Sequence, residues 1–128
     1  MIYTRETTGS VEEVACRVEE ATAANQFGVL GTHDLKAKMA AKGVEFDPEC
    51  RVLEVCQPAR AKRVLEANLA ISTALPCRIS VYEEAGKVMV ATLLPTAQLG
   101  LFDEPGLESV ASEVEETLTR IIDMACAG

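Results

Sequence analysis

Residues 77–93, CRISVYEEAGKVMVATL, decide the fold. Apolar and more polar residues alternate in both halves of this stretch, which is the period expected of strands with one buried face. The two halves meet at residues 84–86, Glu-Ala-Gly, so the stretch predicts a β-hairpin that Pro95 closes. The alternating apolar positions are Ile79, Val81, Val88 and Val90.

Outward from the hairpin, three earlier runs rich in β-branched residues predict three more strands. They cover residues 2–8, 27–32 and 51–55. With the hairpin they supply five strands, enough for one sheet.

Three main helices and one minor helix are predicted between and after the strands. Ser10-Val11-Glu12-Glu13 is a capping-box sequence and starts a helix that runs to about Asn25. Pro58 suits the first position of a second helix, and Pro105-Gly106 precedes a long amphipathic one. Asp34 caps a short helix that stops near Gly43.

The predicted order is therefore β-α-β-β-α-β-β-α, with the minor helix between strands two and three. Each main helix needs a surface to cover, and a five-stranded sheet supplies it. We expect an α+β fold, a two-layer sandwich with the helices on one side of the sheet. Residues 1–128 have no linker that would divide them, so we expect a single domain.

Composition and charge argue against two classes of protein. The net charge is −8 and there is no Trp, so the chain repels phosphate backbones and offers few stacking platforms for nucleic acid. No apolar run approaches the length of a membrane span, and the first residues do not resemble an export signal. We expect a cytoplasmic protein without nucleic-acid or membrane partners.

The cysteines are odd in number. The chain has five cysteines and no CxxC spacing, which favours reduced thiols over a disulfide framework and argues against a structural zinc site.

Two cysteine motifs carry a family resemblance. Cys56-Gln57-Pro58 and the run from Leu75-Pro76-Cys77 to Glu83 resemble the domain-of-unknown-function family 302 (DUF302), over nearly the whole chain. The resemblance implies a small α+β fold, a homodimer and no established activity. Members commonly carry Asn or His where this chain has Gln57.

Cys56 is the main candidate for chemistry. It ends a predicted strand just before the helix that starts at Pro58. The positive end of that helix, with Arg60 and Arg63 nearby, is expected to lower the pKa of the thiol and make it a nucleophile or a metal ligand. The alternative interpretation is a small buried side chain that packs the strand end.

Cys77 is its candidate partner. A plain β-α-β crossover would leave the two thiols at opposite ends of the sheet, but the connector of residues 68–76 is long enough to return the chain. If the sulfurs meet, they can form a reversible disulfide, hold a soft metal ion, or act as nucleophile and resolving thiol. His33 is a candidate third metal ligand, or else a surface or packing residue.

Two functional hypotheses follow from these residues. The first is a thiol-dependent protein that uses Cys56 and Cys77 for redox chemistry, metal binding or a small ligand. Arg60, Arg63 and Arg78 are then candidate ligand-binding residues, or else solvated surface. The second is a non-catalytic homodimer that binds a small molecule or a protein, because we expect the apolar stripe of the last helix to exceed what one sheet covers. The sequence assigns no reaction.

Overall fold

The predicted hairpin is present in the computed structural model, which describes residues 1–127. Strands β4 (Cys77–Glu84) and β5 (Lys87–Leu93) pair antiparallel, with Glu84 opposite Lys87. The two turn residues, Ala85 and Gly86, have φ values of 52° and 77°. Both lie in the left-handed region, which is the requirement of a type I′ hairpin turn.

Three further strands complete one sheet. They are β1 (Ile2–Thr7), β2 (Gly28–Asp34) and β3 (Cys50–Cys56), and the strand order is β1-β5-β4-β3-β2. Every neighbouring pair is antiparallel.

The helices start where the sequence supplies capping groups. Helix α1 (Val11–Ala24) has the capping box: the Glu13 amide donates to the Ser10 hydroxyl and the Ser10 amide to the Glu13 carboxylate, both at 3.1 Å. Each bond satisfies an amide that the helix itself leaves free. The other helices are α2 (Leu35–Ala40), α3 (Pro58–Ala67), α4 (Pro95–Leu99) and α5 (Leu107–Ala127), with 3-10 turns at Leu69–Ala74 and Gly100–Phe102.

The core lies between one face of the sheet and the long helices. Alternate residues of the central strands point into it, as the period of two requires. The apolar stripe of α5 completes it from the other side, and its eight residues are all buried within the chain. The stripe consists of Leu107, Val110, Ala111, Val114, Leu118, Ile121, Ile122 and Ala125.

The α+β fold, the five strands and the order of the main strands and helices along the chain are confirmed. Two features differ from the prediction: a 3-10 turn fills part of the connector that was expected to be loose, and a short helix follows β5 at Pro95. The expectation that the α5 stripe exceeds what one sheet covers is wrong, because the sheet and α1 bury it within the chain. Within residues 1–127 we find no helix with the length and apolar character of a membrane span.

Candidate functional site

Cys56 and Cys77 lie at the same end of two neighbouring inner strands of the sheet. Cys56 is the last residue of β3 and Cys77 the first of β4, and these strands are antiparallel neighbours in which Val55 pairs with Cys77. A β-α-β crossover that separates the two thiols is therefore not what the chain forms. Paired Cα atoms lie about 5 Å apart and a residue advances a strand by about 3.4 Å, which places the Cα atoms of Cys56 and Cys77 roughly 6 Å apart.

Both cysteines line one small cavity. The centre of a water-sized molecule has about 40 Å³ in which to move, enough for a few waters or an ion but not for a large ligand. The walls are mostly apolar. They come from the ends of β3 and β4, from α3, α4 and α5, and from the residues between α1 and β2. The apolar lining comprises Phe27, Val55, Ala61, Val64, Ala74, Leu75, Pro95, Leu99 and Val114.

The start of α3 forms the polar side of the cavity. The side chain of Gln57 caps the helix, its oxygen accepting a hydrogen bond from the Arg60 amide at 2.8 Å. The Arg60 guanidinium lies over the Phe27 ring, 6.0 Å from its centroid. Gln57, Arg60 and Gln98 are the other polar residues that line the cavity.

Cys56 also reaches a second, outer groove. This groove runs along α3 and is lined by Pro58, Ala61, Lys62, Leu65, Glu66 and Leu69 besides Cys56. Cys56 therefore has access to the surface on one side and to the cavity on the other. Cys77 is the more deeply buried of the two.

Burial sets the acidity of both thiols. It raises the pKa of Cys56 above its ordinary value. Burial also raises the pKa of Cys77, to about 11, with a smaller contribution from Cys56 and a small opposing one from Arg78. The expectation that the helix start and nearby arginines lower the pKa of Cys56 is wrong, because the loss of water on burial disfavours the thiolate and raises the pKa.

The predicted ligand-binding arginines are divided between different places. Arg60 lines the cavity, although its side chain also lies 3.6 Å from Glu113. Arg63 donates to the same carboxylate at 3.1 Å, outside the cavity. Arg78 is exposed and lies 3.9 Å from Glu54.

His33 is not brought to the two cysteines. It pairs with Val52 on β3, five residues along β2 from the Gly28–Cys56 pair, which is a separation of roughly 15 Å. Its ring nitrogens contact Glu54 at 2.9 Å and Lys38 at 2.6 Å. His33 is therefore wrong as a third ligand, and the described residues include no group of three or more His, Cys, Asp or Glu side chains arranged to hold a metal ion.

Sequence reasoning missed the far wall of the cavity. Leu99 belongs to a five-residue helix that is too short to show periodicity, and Val114 is one position of a stripe already assigned to the core. Phe27 gave a signal as an aromatic residue at a strand start, but only the fold places it beside α3.

Comparison with known proteins decides the family. The sequence profile described as "Domain of unknown function DUF302" matches residues 3–125, almost the entire chain. This chain belongs to the DUF302 family. A crystal structure of a conserved DUF302 protein from Bacillus stearothermophilus has a TM-score of 0.91 and 33% identity to it, over 97% of each chain. Comparison with curated protein sequences gives no match.

The family assignment agrees with the resemblance of the two cysteine motifs. Both motifs lie inside the matched range, and the cavity lies between them. The DUF302 name describes a fold and no activity, so the chemistry has to be argued from the site.

Proposed function

We propose that this DUF302 protein is thiol-dependent, and that Cys56 and Cys77 act together as one paired-thiol site. The observation that carries the proposal is that two cysteines from different strands line the same small cavity. Their Cα separation of roughly 6 Å falls in the range of about 4.4 to 6.8 Å that is usual for disulfides. Because Cys77 pairs with Val55 and Cys56 is the next residue, closing the pair requires the end of β3 to turn the Cys56 side chain towards Cys77.

The acidities of the thiols favour some chemistries over others. With raised pKa values, both groups are protonated at neutral pH, which makes them weak nucleophiles. Hydrolysis by an activated cysteine is therefore disfavoured. Reversible oxidation of the pair and binding of a thiol-seeking ligand remain, since each proceeds when the thiols lose their protons in the reaction itself.

The exposures of the two cysteines suggest separate roles. Cys56, reached from the outer groove, is the thiol that meets an incoming reagent, and Cys77 is the one that closes the pair. A reducing compartment such as the cytosol belongs to the proposal, because all five cysteines are free thiols.

Equilibration in glutathione buffers of graded potential tests the proposal. The expected oxidised form has lost two hydrogens per chain, binds no glutathione, and forms in a two-electron transition. Cys56→Ser and Cys77→Ala should each abolish it, whereas Cys16→Ser should leave it unchanged. Oxidation that persists in both site variants, or that stops at a mixed disulfide in the unaltered protein, would contradict the proposal.

A second candidate function is a homodimeric module that binds a small molecule or a protein. It is supported by the sheet face opposite the helices, where Ile2 and Leu93 pair on adjacent strands and are 62% and 51% exposed. Apolar residues on an open sheet face are common at interfaces. Light scattering after size exclusion tests it: a dimer that Leu93→Lys dissociates is expected, and a monomer at high micromolar concentration would reject it.

A further inference from the structure

A second concave site lies beside the cysteine cavity, where α3 and α5 meet the end of α1. It is a polar groove with a volume of about 440 Å³. Helix α3 contributes Arg60 and Arg63 to it, and α5 contributes Glu113, Thr117 and Arg120. Residues three or four positions apart share one face of a helix, so each helix turns a single face towards the groove.

Positive charge exceeds negative charge in this groove. Arg60, Arg63 and Arg120 line it, and Glu113 is the only acidic residue among the lining residues that the structure describes. Three positive charges and one negative charge leave a local excess of two positive charges, in a chain whose net charge is −8. The excess is opposite in sign to the whole chain, so composition alone does not account for it.

The contacts within the groove leave many N–H donors free. Arg63 donates to Oε2 of Glu113 at 3.1 Å, and Nε of Arg60 lies 3.6 Å from the same oxygen. Arg120 donates to the side-chain oxygen of Asn25 at 3.5 Å, which is long for a hydrogen bond. A guanidinium has five N–H donors, so the three groups can serve a further acceptor. Carboxylate and phosphate oxygens match the planar fork of arginine best.

We infer that the groove binds a small organic anion, with a carboxylate or phosphate head and a short apolar tail. Arg60, Arg63 and Arg120 hold the head. The inference goes beyond the paired-thiol function and does not depend on it, because the groove-lining residues that the structure describes include no cysteine.

The apolar tail follows from the position of the cysteine cavity. Gln57 and Arg60 line both the groove and that cavity, so the two adjoin at the first turn of α3. The other walls of the cavity are mostly apolar, as at Phe27, Val64 and Leu99. Its volume of about 40 Å³ limits the tail to a few methylene groups.

Butyl phosphate and hexanoate are the probes for the test, titrated into the reduced full chain and followed by NMR chemical shifts. Each should bind about tenfold more tightly than its short counterpart, inorganic phosphate or acetate, because two buried methylene groups contribute about that factor. Tighter binding of butyl phosphate than of hexanoate would identify the head as phosphate, and the reverse order would identify it as carboxylate. Equal affinity with and without the tail overturns the inferred ligand.

Two charge variants test the head. Arg63→Gln should weaken binding of either probe about tenfold, the value of a hydrogen bond between charged groups. Lys87→Gln is the matched control: Lys87 is 58% exposed and pairs with Glu6 at 3.2 Å, whereas Arg63 is 53% exposed and pairs with Glu113 at 3.1 Å. Equal losses in the two variants would show general attraction to a positive charge and would overturn the site.

Removal of the competing carboxylate should have the opposite effect. Glu113→Gln frees Arg60 and Arg63 and removes a negative charge close to the head, so binding should strengthen by about 4-fold. Weaker or unchanged binding in this variant overturns the inference.

A cavity variant tests the tail separately. Ala61 lines the cysteine cavity and not the groove, so Ala61→Leu should fill the space for the tail. It should abolish the preference for butyl phosphate over inorganic phosphate and leave the affinity for inorganic phosphate unchanged, while circular dichroism reports folding. A preference that persists in the folded variant overturns the placement of the tail. Should Ala61→Leu fail to fold, the comparison of the two phosphates in the unaltered chain decides the tail.

Discussion

Cys77 lies opposite Val55 in the β3–β4 ladder. Strand β4 therefore begins at the end of the sheet where β3 stops at Cys56. This relationship depends on the antiparallel return of the chain after α3. It brings two cysteines that are 21 positions apart in sequence to the lining of one cavity. The proposed chemistry follows from that placement and from the exclusion of water around it.

The buried thiol of Cys77 should make the protein less stable at high pH. Burial raises its pKa from 9.0 to about 11, so between these values the unfolded chain releases a proton that the folded chain keeps. Stability is therefore complete below about pH 9 and is lost as the pH rises to about 11, by about 2 to 3 kcal/mol in total.

Urea unfolding at a series of pH values between 8 and 11.5 measures this loss. Cys77→Ala should lack it, and because other groups titrate equally in both proteins, the difference between them isolates Cys77. Equal slopes in the two proteins would show that Cys77 is not buried as described.

The middle of α5 should be a major source of stability. Leu118 is 0% exposed in the core, so Leu118→Ala is expected to lower the free energy of unfolding by about 2 to 5 kcal/mol. Leu101, which is 82% exposed, provides the matched control, and Leu101→Ala should change the same quantity by less than about 0.5 kcal/mol. Chemical denaturation of both variants makes the comparison, and similar losses would argue against the placement of α5.

The pKa of Glu54 should change when His33 is removed from the polar cluster of His33, Lys38, Glu54 and Arg78. The hydrogen bond from His33 is the main reason that the pKa of Glu54 is lowered, with further effects from Arg78 and Lys38. His33→Ala should therefore raise the pKa of Glu54 towards its ordinary value, as followed by carboxyl NMR. This pairing stabilises the fold above the unfolded pKa of Glu54 and is lost as the pH falls.

Lys36→Ala serves as the control for the cluster, because Lys36 pairs with Glu49 at 3.7 Å rather than with Glu54. An unchanged Glu54 titration in His33→Ala would refute the contact. In either variant the paired-thiol chemistry should be unaffected, since His33 lies far from the cavity.

Local signals in the sequence were sufficient for most of the fold. Alternation marked the hairpin, the capping box marked α1, and the stripe marked α5, because each of these features spans enough residues to show its period. The direction of β4 relative to β3 was not predictable in this way. It depends on the 3-10 turn at Leu69–Ala74, which is too short to have a periodic pattern.

The sequence predicts which two cysteines line the candidate site, but it does not predict the acidity of the Cys56 thiol. Cys56 and Cys77 were chosen from their positions beside prolines and arginines, and the fold brings them to one cavity. The direction in which the pKa of Cys56 moves is not predictable from local sequence, because it is set by burial in the folded chain. His33 was misplaced for the same reason, since the sheet register was not known.

The paired-thiol site can be tested by treating the reduced protein with one equivalent of diamide, digesting it, and mapping the disulfides by mass spectrometry. Diamide takes up the two hydrogens that the thiols lose. We predict that a peptide joining Cys56 to Cys77 is the main product, and that it is absent in Cys56→Ser. A product dominated by pairs of Cys16, Cys50 or Cys126, with Cys56 and Cys77 still reduced, would contradict the paired-thiol site.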